Sequence, residues 1–139
     1  MRCPIFFWMK FSLPYPKKEE NQSAFMENII YNELIICGYN VDVGIIDHAV
    51  LNKSQKQQIV RLEVDFVCNK GSRRYYIQSA FSIPDEEKLK QETSSLDRIG
   101  DSFKKIIVTQ DLGKPWHTEK EYLVINILDF LLNPDSMDL

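Results

Sequence analysis

The run Arg61-Leu62-Glu63-Val64-Asp65-Phe66-Val67 alternates charged and apolar side chains for most of its length. A β-strand sends successive side chains to opposite faces, so Leu62, Val64 and Phe66 are expected on one side and Arg61, Glu63 and Asp65 on the other. Asn69-Lys70-Gly71-Ser72 has the chemistry of a turn, and Arg73 to Phe81 returns as a second β-rich segment. A helix cannot satisfy a period of two. The segment 60–81 is therefore predicted to be a hairpin, which must cover its apolar face with neighbouring elements.

Those neighbours are visible on both flanks. Before the hairpin, Ser23 is a candidate N-cap, Ala24 to Cys37 a helical body, and Gly38 a stop. Met26, Ile29, Ile30, Leu34 and Cys37 make one apolar stripe at helical spacing, with Glu27 at its edge. Val41 to Asp47 reads as a strand, and the polar stretch Asn52 to Gln58 as a loop or hairpin tip. After the hairpin, Ser82, Pro84 and Asp85 announce a second helix running to about Leu96, with Glu86 and Lys90 at ion-pair spacing. Phe103 to Thr109 and Tyr122 to Asn126 read as strands, and Ile127 to Leu132 as a closing helical turn or two. The order is helix, three-strand antiparallel meander, helix, strand, strand, helix. It predicts an α/β fold with a mixed sheet.

Composition narrows the function classes. In 139 residues, 17 Lys and Arg oppose 20 Asp and Glu, a net charge of −3. That balance does not support a protein dominated by phosphate contacts with nucleic acid. No apolar run reaches the roughly 20 residues of a bilayer span, so no membrane partner is expected. Cys3, Cys37 and Cys68 form no C-x-x-C pair and suit no disulfide framework; Cys37 and Cys68 sit among apolar neighbours as small buried hydrophobes, which suits a reducing cytoplasm. Residues 1–22 differ from the rest: an apolar Pro4–Met9 interrupted by Lys10, then a Pro- and charge-rich stretch. They read as a weakly ordered leader ahead of one domain at 23–139.

Few residues can carry chemistry. Gly113-Lys114 lacks the earlier glycine of a P-loop, since Val108 stands there, so ATP hydrolysis by that mechanism is not expected. His48 and His117 have no ligand spacing, and the aromatic residues form no basic stripe for single-stranded nucleic acid. Lys70, Arg73 and Arg74 make a basic hairpin that reads as a solvated turn more readily than as a phosphate contact. The one constellation is Asp65 on the second strand, Gln78 and Ala80 two apart on the third, and Glu27 on the first helix. Asp65 amid Val64, Phe66 and Val67 must face solvent or carry a partner. Glu27 reads equally as an amphipathic-edge residue.

A glutamate in the first helix, an aspartate on a strand and an [E/Q]-x-K triplet one strand later resemble the PD-(D/E)XK nuclease-like pattern, whose core has the element order read above. Over residues 25–139, Met26 to Leu34, Gly38-Tyr39, Glu63 to Val67, Tyr76-Ile77-Gln78 and Phe103 to Ile107 look like the C-terminal domain of a prokaryotic AAA+ ATPase family. The resemblance implies a restriction-endonuclease-like core, with an ATPase module as a partner that is not encoded in these residues. In active nucleases of the superfamily two acidic positions hold Mg²⁺ and the lysine serves the attacking water. Here the lysine position is Ala80, and Gln78 stands at the second acid. The resemblance thus implies a degenerate site, with no cofactor expected, in an accessory domain serving interaction or nucleic-acid sensing. The alternatives are a Mg²⁺-dependent nuclease holding metal through Glu27, Asp65 and Gln78 with a lysine relocated to Lys88 or Lys90, or a small domain that self-associates or binds a protein partner. In that last case the apolar C-terminal segment Ile125 to Leu132 either packs on a neighbour or closes this domain's own core, the second being favoured.

Overall fold

The computed structural model describes residues 19–139, with side chains described from Gln22 onward. The expectation of a weakly ordered leader falls mainly on residues 1–18, outside the described residues. Residues 19–22 belong to the first helix, α1, which spans Glu19–Ile36. It therefore starts four residues before the predicted cap. Ser23 sits inside the helix, donating to Glu27 Oε1 at 3.2 Å.

Six strands are present, the five expected and one more: β1 Asn40–Leu51, β2 Gln57–Lys70, β3 Arg73–Ala80, β4 Lys104–Thr109, β5 Trp116–His117 and β6 Leu123–Asn126. Helix α2 (Glu86–Thr93) separates β3 from β4, and α3 (Ile127–Leu132) follows β6. They form one sheet in the order β1-β2-β3-β4-β6-β5. β1, β2 and β3 are an antiparallel meander, while β3, β4 and β6 run parallel. The predicted α/β class and mixed sheet are therefore present.

Three local expectations are corrected. Trp116-His117, outside every strand predicted above, is a two-residue edge strand antiparallel to β6; so short an element leaves no periodicity, and Gly113 and Pro115 disguise it. The second helix ends at Thr93, and Leu96–Arg98 is a separate 3₁₀ turn. Its cap is Asp85, whose carboxylate accepts the Lys88 N–H at 2.8 Å. Ser82 instead donates to Asp111 Oδ1 at 2.7 Å.

Both faces of the sheet are covered. On one, Met26, Ile30 and Leu34 of α1 pack with Phe66, Cys68, Ile77, Ile106, Val108 and Ile125. On the other, Leu96 and the partly buried Leu89 pack with Val64, Tyr76, Ala80, Ile107 and Val124. This two-sided burial explains why 103–109 reads as a continuous apolar run with no alternation. Ile125 and Phe130 are buried in the chain's own core, with Ile127 and Leu131 against it, so the C-terminal segment closes this domain as favoured. Cys37 and Cys68 are both buried, as expected. Among the described residues no helix is long and apolar enough to cross a membrane.

Candidate functional site

The central local feature is a bulge in β2. Asp42 of β1 stands opposite Val67, but Gly44 stands opposite Val64, so two steps along β1 match three along β2. Val43 therefore faces both Asp65 and Phe66, which marks a β-bulge. The extra residue changes which face each side chain takes. Phe66 points into the α1 side of the sheet and Val64 into the α2 side, so Val64 and Phe66 do not share a face as strict alternation predicted.

Gly44 makes the bulge possible. A Cβ there would lie 2.8 Å from Val67 Cγ2 and 3.1 Å from Val64 Cβ, because the bulge turns both valines toward the same point on β1. No side chain fits that gap without displacing a packed strand.

The bulge also ends the pairing of β2 with β3, whose last paired residues are Phe66 and Ile77. Beyond it the backbone N–H of Ser79 lacks a strand partner on that side. Asp65 Oδ2 accepts it at 2.7 Å, and the Asp65 N–H donates to Gln78 Oε1 at 3.4 Å. The structure thus brings Asp65 and Gln78 together, through backbone-to-side-chain bonds. Ser79 Oγ beside them is buried and has no hydrogen-bond partner.

Burial is the main reason that the Asp65 carboxyl is pushed up to about 6. The Ser79 N–H opposes that rise, and the charges of Glu27, Glu92 and Glu63 add to it. Glu27 of α1 therefore acts on Asp65 through space, as a minor contribution beside burial. Glu92 of α2 is an acid that sequence reasoning missed. Its only sequence signal is the spacing from Lys88, with which it forms an ion pair at 2.6 Å.

The lysine candidates separate. Lys90 pairs with Glu86 at 3.3 Å with both side chains about three-quarters exposed, the solvated helix-face pair expected from their spacing. Lys88 is tied to Glu92, the acid that influences Asp65. Ala80 is 2% exposed, packed into the apolar cluster on the α2 side. Among the described residues no group of three or more His, Cys, Asp or Glu is arranged to hold a metal ion. The acids surround Asp65 without converging on a shared point, while Gln78 spends its oxygen on the Asp65 backbone.

The other singled-out groups serve the fold. Lys70 Nζ donates to the Cys37 carbonyl at 2.6 Å, Arg74 Nε to Asn69 Oδ1 at 2.7 Å, and Arg73 lies 3.6 Å from Asp138. The basic hairpin is thereby held against its own chain. Among the described residues, Lys53, Lys56 and Lys114 are the cations with no such partner. His48 meets Arg98, and His117 lines a cleft of about 450 Å³ between α2 and the β5–β6 edge. None of Glu27, Asp65 and Gln78 lines that cleft.

Fold and site together define a mixed-sheet α/β domain with a half-buried carboxylate at a bulged strand. No family model matches the chain. It is 36% identical over 118 residues to an uncharacterized protein of Haemophilus influenzae, a match covering 84% of this chain and 25% of that protein. The chain thus spans about a quarter of the length of the curated relative it matches.

Proposed function

We propose that this chain is a nuclease-like accessory domain with a restriction-endonuclease-like core and without working nuclease chemistry, serving an interaction or nucleic-acid-sensing role beside an ATPase module. Several observations support the nuclease-like part. The helix, meander, helix, strand order carries Asp65 where β2 parts from β3, with Gln78 beside it and Glu27 acting from α1. The relative's greater length is compatible with a domain that works next to further modules.

Ala80 is the observation that carries the non-catalytic part. A hydrolytic phosphoryl transfer needs cationic stabilisation of charge that develops on the phosphate oxygens, and the methyl group at this position supplies none. Its surroundings are apolar, so a charge placed there would be desolvated at a cost of several kcal/mol. The mechanism left to these residues is positional. Asp65 caps the loose edge of β3, and Gln78 braces the bulge.

A second reading, a Mg²⁺-dependent nuclease with a relocated lysine, draws support from one contact, the Lys88–Glu92 pair near Asp65. One experiment separates the two. The purified chain is incubated with Mg²⁺ or Mn²⁺ and with labelled duplex or single-stranded DNA and RNA, beside Asp65→Ala and Lys88→Ala. The accessory reading expects intact substrates in every lane. Metal-dependent cleavage lost in both variants would replace it with the enzyme reading.

A further inference from the structure

β1 is an edge strand of twelve residues, and among the described residues it pairs on one side only, with β2. Natural edge strands of that length are usually blocked by Lys, Pro or a bulge on the edge itself. Between Asn40 and Leu51 there is no Lys, Arg or Pro, the charges are Asp42 and an Asp47 already paired with Arg61 of β2, and the extra residue of the bulge lies on β2. The strand also exposes apolar side chains on a single face. Val43 is 61% exposed, Ile45 57% and Leu51 71%. Ile59, opposite Ala49 on β2, adds to the same face at 72%. An unblocked edge with a one-sided apolar stripe is a surface that is covered in use.

We infer that β1 pairs antiparallel with β1 of a second copy of this chain, about a two-fold axis through Ile45, joining two six-stranded sheets into one. The charges on the strand select that register. β1 carries two acids, Asp42 and Asp47. Axes through Asp42 or through Asp47 oppose acid to acid, which directly facing strand positions penalise, and of the axes between them only the one through Ile45 sets an acid opposite a donor side chain of β1. An axis through Ile45 pairs residues whose numbers sum to 90, so Asp42 faces the partner's His48, Val43 faces the partner's Asp47, and Ile45 faces its own copy.

His48 is prepared for that contact. Its Nε2 lies 2.7 Å from Arg98 Nη1, and a guanidinium only donates, so Nε2 accepts and the neutral ring keeps its proton on Nδ1. Nδ1–H is then a donor for the partner's Asp42. The pairing is isologous, and both contacts occur twice. The apolar stripes of the two copies lie on the same side of the joined sheet, because facing residues in an antiparallel pair share a face. This inference rests on the edge strand alone, independently of the nuclease-like reading.

Light scattering on the intact chain tests it first: the expected mass is twice 16.3 kDa, and Ile45→Lys halves it while far-UV circular dichroism stays unchanged. Crosslinking tests the register without relying on a disruptive variant. Facing residues in an antiparallel pair have Cα atoms about 4.5–5.5 Å apart, within disulfide reach. Ile45→Cys, mildly oxidised, therefore gives a reducible dimer on a non-reducing gel. With Cys3→Ser in every sample, Val43→Cys and the parent chain do not, since residue 43 faces residue 47 rather than its own copy and Cys37 and Cys68 are buried. A mass of 16.3 kDa at the highest soluble concentration overturns the inference. So does a dimer in which Ile45→Cys fails to crosslink, or an edge covered only when a longer protein partner is added.

Discussion

Asp65→Asn isolates the electrostatic cost of the carboxylate at the bulge. The folded protein holds this carboxyl at about 6 against an ordinary value of 3.8, chiefly through burial, with the Ser79 N–H opposing and Glu27, Glu92 and Glu63 reinforcing the rise. Folded protein therefore binds more protons than unfolded chain between those two values, and stability falls as pH rises through that window. A difference of about two pH units corresponds to about 3 kcal/mol, fully expressed above pH 6 and absent below pH 4. Asparagine keeps an oxygen for the Ser79 N–H and carries no charge. The variant should thus match the native protein near pH 4 and exceed it by about 1–3 kcal/mol at pH 7.5. Urea unfolding of both proteins across pH 4 to 8 measures this as a difference, in which every other titrating group cancels. Parallel profiles would refute the reasoning, as would a variant whose deficit grows with pH. A Mg²⁺ arm adds a functional readout: metal bound at Asp65 would stabilise the native protein selectively at pH 7.5 and leave Asp65→Asn unaffected, whereas the accessory reading expects no such gap.

Gly44→Ala should lower the urea midpoint, equivalent to about 1–3 kcal/mol, because the new methyl group meets Val67 and Val64 at the bulge. Ser79→Ala keeps the backbone N–H that Asp65 accepts and removes a buried hydroxyl with no partner, so its unfolding midpoint should equal or exceed the native one. Ala80→Lys restores the nuclease pattern in letters only: calorimetry should record a lower melting temperature, and the cleavage assay no product, since the ammonium enters an apolar cluster.

Most of the architecture was legible in the residues. Period-two alternation, the Asn69–Ser72 turn and the stripe along α1 are local signals, governed by where successive side chains point, and they place α1, the meander and β4. The bulge was not legible. Arg61 to Val67 reads as one regular strand, and only its register against β1 shows that Asp65 and Phe66 share a single partner. Gly44 looks like any glycine in a strand until Val64 and Val67 are seen to crowd it. Glu92 could not be associated with Asp65 from sequence, since nothing local couples α2 to the end of β2.

The amino-acid order alone determined the α/β class and most of the succession of elements, and it singled out Glu27, Asp65, Gln78 and Ala80 as the positions to inspect. The tertiary structure decided what those residues do. It set Asp65 on the Ser79 N–H, turned Gln78 to the Asp65 backbone, sent Lys90 to solvent and, among the described residues, left β1 paired on one side only. Side-chain identity and periodicity are properties of neighbours along the chain. Register, desolvation and the supply of hydrogen-bond partners depend on segments brought together from far apart, and no local pattern encodes them.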